Sequence, residues 1–188
     1  MPLLDPGTCI EGYCIQDLTG DGASGFAYSA STPTNKIVIM KFVPLSNSFY
    51  EKEFKKEGAY LKRFRNTTEI VSYIDCFVSG SHGVIVMEKL DMDLLDYVEK
   101  SGSIPEEDAK IIFKQICTAV HVLHRNNIAH LDLKPENIFL NDMYSVKLGD
   151  LGSCFQWSKE TPEKFGLSGT SYYCAPEVVS FYTCTTMF

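Results

Sequence analysis

The 188-residue sequence predicts an α+β fold, and three observations carry that expectation. Short apolar runs separated by glycine- and serine-rich breaks fill the first half: Tyr13–Leu18, Lys36–Val43, Glu69–Val78 and Val84–Glu88. They read as strands joined by turns. A helix-period run, Ser46–Phe64, interrupts them, and a second runs from Pro105 to His124. Between that second helix and the strand-like pair Ile138–Leu140 and Val146–Leu148 lies a short polar loop, His130–Asn137.

Composition narrows the function classes. With 45% hydrophobic residues the chain can bury a core. A net charge of −7 and no basic tract exclude coating of nucleic acid. The seven cysteines are odd in number and scattered, without a C-x-x-C pair. This predicts reduced thiols rather than a disulfide frame or a zinc site. No apolar run approaches the roughly 20 residues a membrane span needs, and no charged-then-apolar leader opens the chain. The expectation is a soluble cytoplasmic or nuclear protein without repeats or linkers.

Residues 1–12 carry Pro2, Pro6 and Gly7 and are expected to be irregular. The strand from Tyr13 runs into Gly20-Asp21-Gly22-Ala23-Ser24-Gly25, whose glycines let backbone N–H groups approach a phosphate without Cβ collisions. A strand follows rather than the helix of a dinucleotide-binding unit. It ends in Val38-Ile39-Met40-Lys41. The helix over 46–64 has Phe54, Leu61 and Phe64 at near-helical spacing, and Glu57 and Glu53 are the carboxylates that could meet Lys41. Ser103-Ile104-Pro105-Glu106 predicts a capping box. The helix after it shows one apolar face of Ala109, Ile112, Phe113, Ile116, Val120 and Leu123, with His121 and His124 outside any metal-site spacing.

The loop His130-Leu131-Asp132-Leu133-Lys134-Pro135-Glu136-Asn137 holds a carboxylate, a cation and a carboxamide, and Asp150-Leu151-Gly152 adds a second carboxylate eighteen residues on. These are the parts phosphoryl transfer needs: an acceptor for a hydroxyl proton, hard oxygen donors for divalent metal, and a cation for the charge on the phosphoryl group. Here the sequence resembles the protein kinase family, whose catalytic loop reads H-R-D-x-x-x-x-N and whose metal loop reads D-F-G. Lys134-Pro135-Glu136-Asn137 is similar to the serine/threonine type, as is Gly169-Thr170-Ser171-Tyr172-Tyr173-Cys174-Ala175-Pro176-Glu177, which resembles G-T-x-x-Y-x-A-P-E.

The resemblance implies a two-lobe fold with a five-stranded antiparallel sheet and one helix in the N-lobe (13–88), a hinge (88–93) and a helical C-lobe (94–180). It implies ATP and Mg2+ as cofactors and a protein hydroxyl as acceptor. By it Asp132 is the base, Lys134 the cation at the transferred phosphate, and Asn137 and Asp150 the metal ligands. Thr170 steadies Asp132 and Lys134. Gly20, Asp21, Gly22 and Gly25 form the glycine loop, Lys41 holds the α- and β-phosphates, and Glu57 orients Lys41. Ala27 and Ile39 cover adenine, with large and small residues exchanged relative to the family pattern. Met87 gates the pocket behind it, Glu88 and Leu90 bond its edge through their backbones, and Asp93 reaches the ribose.

Two departures stand out. Thr19 precedes the first glycine where the family has an apolar residue beside a glycine. Leu131 replaces the arginine that anchors an activation-loop phosphate, so activity is expected to be indifferent to loop phosphorylation. The resemblance stops near Ser180, before the helices that follow A-P-E in the family, and 181–188 do not match. Glu177 is then expected to lack its arginine partner, and the underside of the 105–124 helix to form an exposed apolar patch. That predicts a fragment of a longer kinase, a nucleotide- or partner-binding regulator covered by another protein, or a compact active variant.

Overall fold

The computed structural model describes residues 4–22, 25–141, 145–158 and 169–176. The chain divides into two compact units, Met1–Lys89 and Leu90–Phe188.

The first unit is an antiparallel sheet carrying one helix. Its elements are β1 (Cys9–Ile10), β2 (Tyr13–Gly22), β3 (Gly25–Ser31), β4 (Ile37–Pro44), α1 (Ser48–Arg63), β5 (Tyr73–Ser79) and β6 (His82–Glu88). The strand order is β1-β2-β3-β4-β6-β5, so the sheet has six strands rather than the expected five. The additional strand forms in the segment expected to be irregular. Glu11 and Gly12 both take positive φ, 49° and 85°, the geometry of a two-residue hairpin turn. The turn sets Cys9 opposite Cys14, and the two are joined as a disulfide. That corrects the expectation of thiols throughout. A two-residue turn brings flanking side chains together whatever the spacing of the other cysteines, of which Cys76, Cys117, Cys154 and Cys174 are outside any disulfide.

Alternation along the strands sorts the sheet into two faces. Val38, Met40 and Phe42 of β4, Val84 and Val86 of β6, and Tyr28 of β3 point into one buried cluster. The opposite face carries Lys41, Ile85 and Cys76 in one cross-strand row. The helix α1 packs over that second face through Phe54, Glu57, Gly58 and Leu61, all buried. It starts where Asn47 accepts hydrogen bonds from the backbone N–H of Phe49 and Tyr50, with Glu51 in the first turn and Lys62 and Arg63 in the last, each of the sign that suits the helix dipole.

The second unit contains β7 (Met92–Asp93), α2 (Leu94–Ser101), α3 (Glu106–Arg125), β8 (Ile128–Ala129), β9 (Ile138–Leu140), β10 (Val146–Leu148) and β11 (Phe155–Gln156). β9 and β10 form the expected antiparallel pair, with Leu148 opposite Ile138; Asp142 in their connection lies outside the described residues. The sequence reading did not predict α2, whose cap is Asp93. The expected cap at Ser103 is not made. Helix α3 starts after Pro105 without a side-chain cap bond, because proline's fixed φ already suits a helix start.

The apolar face of α3 is also narrower than its sequence suggests. Ile112, Ala119 and Leu123 are buried, whereas Phe113 is 66% exposed and Ile111 56%. Among the described residues no helix is long and apolar enough to cross a membrane.

This difference in burial is testable by urea unfolding. Phe113→Ser is expected to change stability by less than about 0.5 kcal/mol, as an exposed site does. Leu123→Ala on the same helix is expected to cost about 2–5 kcal/mol through the cavity it leaves.

Candidate active site

In the first unit the site residues share the helix-bearing face of the sheet. Ala27 is opposite Lys41 across β3 and β4, and Ile39 lies two residues before Lys41, so all three side chains point the same way. Gly20 is opposite Ala27, and a Cβ there would sit 3.5 Å from that of Ala27. Gly25 has φ +126°, and a Cβ on it would lie 1.9 Å from the carbonyl oxygen of Phe42. No other residue fits at that position. The strand β2 extends through Asp21 and Gly22, past its expected end at Leu18, so the glycines close a hairpin rather than an irregular loop.

Lys41 Nζ meets Oε1 and Oε2 of Glu57, each at 2.9 Å. The Glu57 residue is 3% exposed. A buried carboxylate is tolerated when paired in this way, and of the two candidate glutamates it is Glu57 that faces the lysine. Glu88 accepts the backbone N–H of Ser72 through Oε1 at 2.6 Å, and its own N–H donates to the carbonyl of Ser72.

In the second unit four donors converge on Asp132. Its Oδ1 accepts the N–H and the hydroxyl of Thr170, both at 2.8 Å. Its Oδ2 accepts Nδ2 of Asn137 at 3.0 Å and lies 3.3 Å from Nζ of Lys134. Lys134 also donates to the Thr170 hydroxyl at 2.9 Å. Asp132, Lys134, Asn137 and Thr170 therefore form one bonded cluster, and both carboxylate oxygens have fixed orientations.

Behind that cluster stands His130, whose catalytic-loop position was noted in the sequence but whose task was not. Its Nε2 faces the carbonyl oxygen of Gly149 at 2.9 Å, and its Nδ1 faces the N–H of Asp132 at 3.3 Å. A carbonyl accepts and an N–H donates, so the proton sits on Nε2 and the ring is neutral. Gly149 in turn donates its N–H to the carbonyl of Asn137. The same ring thus ties the Asp132 backbone to the residue before Asp150. Asp150 itself holds φ 50°, a left-handed conformation at the end of the strand pair.

Two further residues are implied for the base and ribose. Leu90 is half-buried at the start of the second unit. Asp93 accepts the N–H of Asp96 at 2.8 Å. Burial raises its pKa, with the neighbouring charges of Asp96 and Glu136 adding to the rise. Glu136 has a buried Oε2 without a hydrogen-bond partner.

Gly169 opens the Gly169–Glu177 motif. It has φ +109°, and a Cβ there would lie 2.5 Å from the carbonyl oxygen of Leu131. Its glycine is what allows Thr170 to reach Asp132. Glu177, singled out in the sequence, lies outside the described residues.

The family model for the protein kinase domain matches residues 13–187. The chain belongs to the protein kinase family. The match runs past Ser180, where the sequence reading ended the resemblance. This kinase chain is similar to the carbon catabolite-derepressing protein kinase of Candida albicans, 32% identical over 183 residues that cover 95% of this chain and 29% of that protein. Serine/threonine-protein kinase 36 of Pongo abelii is 30% identical over 173 residues, covering 90% of this chain and 13% of its own length. Serine/threonine-protein kinase TIO of Arabidopsis thaliana is 30% identical over 174 residues, with 90% and 13% covered. The chain therefore spans under a third of each of these relatives.

The buried histidine of the kinase site gives a pH signature. Burial lowers the His130 pKa below 6.5, outweighing the Gly149 hydrogen bond and the charges of Asp150 and Asp132, which raise it. The folded state then resists protonation, so the stabilising contribution is full above the unfolded value. It declines as pH falls through 6.5, because the unfolded chain takes up a proton that the folded chain refuses, at up to about 1.4 kcal/mol per pH unit. Denaturant unfolding from pH 7.5 to 5 should show this slope in the wild type, and a smaller one in His130→Asn.

Proposed function

We propose that the chain acts as a MgATP-dependent serine/threonine protein kinase domain, with 13–88 handling the nucleotide, 88–93 a hinge and 94–180 performing the transfer. The observation that carries this reading is the convergence of Thr170, Asn137 and Lys134 on Asp132, with oxygen distances of 2.8 to 3.3 Å. A carboxylate so held is oriented to accept the proton of an incoming serine or threonine hydroxyl. Lys134 brings positive charge beside that oxygen, where the phosphoryl group would gain its new bond. Thr170 links the two and fixes the distance between them.

The residues present suit magnesium. Asn137 commits Nδ2 to the carbonyl and carboxylate of Asp132, which leaves its amide oxygen as a hard donor alongside the Asp150 carboxylate. Bound magnesium would supply charge neutralisation on the phosphate oxygens. On the nucleotide side, Lys41 is the cation for the α- and β-phosphates, held in place by Glu57. Backbone N–H groups of the Gly20–Gly25 hairpin suit the phosphates, while Ala27, Ile39 and the backbones of Glu88 and Leu90 suit the base. Asp93 would meet the ribose while capping α2.

A second reading, a nucleotide- or partner-binding regulator without turnover, is favoured by the exposure of Ile111 and Phe113 on α3. Transfer of radiolabelled γ-phosphate to a mixed serine- and threonine-containing protein substrate separates the two. Asp132→Asn is expected to lower the rate by about 10² or more, the size of a general-base contribution; equal signals from both proteins would leave the regulator reading.

Leu131 offers no cation to a phosphate on the activation segment. Phosphatase treatment before the assay is therefore expected to leave turnover within about twofold, whereas loss of an anchored phosphate would remove several charge-assisted bonds.

A further inference from the structure

The pairing of Lys41 with Glu57 requires α1 to rest at one height above the sheet. Glu57 and Gly58 are consecutive, and the sheet beneath them presents the row Lys41, Ile85, Cys76 across β4, β6 and β5. Glu57 reaches Lys41 at one end of this row. Gly58 meets Cys76 at the other, where a Cβ on Gly58 would lie 3.0 Å from Sγ. One helical turn earlier, Phe54 lies over Gly83, which is two residues before Ile85 on β6 and so on the same face. A Cβ on Gly83 would fall 2.5 Å from the Phe54 ring, a distance no packed core accommodates.

We propose that Gly83 and Gly58 are positioning residues for the Lys41–Glu57 pair. One gap in the sheet receives the ring of Phe54, and one gap in the helix receives the sulfur of Cys76. Together they let α1 sink until the carboxylate of Glu57 comes within 2.9 Å of the lysine. Gly83 is met by Cδ2, Cγ and Cε2 of the Phe54 ring at 2.5 to 2.6 Å, and Gly58 by Sγ of Cys76 at 3.0 Å, so an added methyl must displace these side chains or lift the helix. Neither glycine adopts left-handed backbone. Their requirement is space. The consequence for phosphoryl transfer rests on the kinase reading above; the seating of the helix does not.

The test reads Lys41 directly, by reductive methylation of the full chain under native conditions and peptide mass spectrometry, with the exposed Lys52 and Lys89 as internal standards. Separating the pair removes a carboxylate from beside the amine. The amine is then no longer held by the carboxylate, so labelling of Lys41 should rise several-fold in Gly83→Leu. Glu57→Gln provides the reference for a broken pair. Gly83→Leu/Phe54→Ala, which exchanges large and small across the contact, should return labelling to the wild-type rate.

If Gly83→Leu does not fold, Gly58→Ala carries the test, because alanine is the better helix former. Lys41 labelling should rise several-fold in a variant that still unfolds cooperatively, and Gly58→Ala/Cys76→Ala should reverse the rise. Wild-type labelling in a folded Gly83→Leu or Gly58→Ala, or failure of either paired substitution to restore it, overturns the proposal. Where the wild type transfers phosphate, kcat/KM should follow the labelling, falling in the single variants and recovering in the pairs. A wild type without transfer would sink the kinase reading while the labelling still decides the positioning role.

Discussion

Burying a carboxylate in a protein interior costs several kcal/mol unless partners replace the water it loses, and each unit of this chain is organised by one such group. Among the described residues the buried carboxylates are Glu57 at 3% exposure and Asp132 at 9%. Each dictates what stands around it. Glu57 requires a cation, and β4 places Lys41 on the face where the helix lies. Asp132 requires several donors, and it draws them from a loop amide, a lysine and a threonine thirty-eight residues later. Removing a partner would leave a charge stranded, so these geometries are held by the stability of the fold itself.

The route by which that demand reaches the sheet is the two-residue period of a strand. Phe42 at 1% exposure and Met40 at 0% fill the core cluster, while Lys41 between them necessarily points the other way. A one-residue slip would bury the lysine among Val84 and Val86 and turn the phenylalanine toward α1. The apolar core thus fixes the register, and the register aims the cation. The second unit uses a different device. Its loop from 130 to 137 has little regular structure, and the His130 ring substitutes for a ladder by bonding the backbone on both sides.

Much of this was legible in the sequence because it rests on local pattern. The glycines at 20, 22 and 25, the lysine at a strand end, and the Asp-x-Lys-x-x-Asn spacing each carry their chemistry within a few residues. Glu57 is preferred to Glu53 because Leu61 follows it by one helical turn, and the ion pair with Lys41 agrees. What stayed hidden depends on contacts between distant segments. Cys9 and Cys14 meet because two residues between strands adopt positive φ, which Glu11 does not advertise. Phe113 follows the helical period of the core yet is exposed, because periodicity identifies an apolar stripe and not what covers it. The Phe54–Gly83 contact joins residues twenty-nine positions apart, and neither is unusual in its own element.

Leu131 shows how a motif can change without the site changing. Its φ of 65° is unfavourable for a residue with a Cβ, and the reason for holding it lies in the backbone. The carbonyl of Leu131 is turned against Gly169, 2.5 Å from where a Cβ would be, and this close passage delivers Thr170 to Oδ1 of Asp132. The main chain at 131 and the missing side chain at 169 are therefore one arrangement. Neither depends on what the side chain at 131 is, provided it tolerates the left-handed conformation. An arginine there would add a cation without altering the seat of Asp132, and a leucine omits the cation without loosening it. The backbone that seats Asp132 and the side chain at 131 are in this way separable.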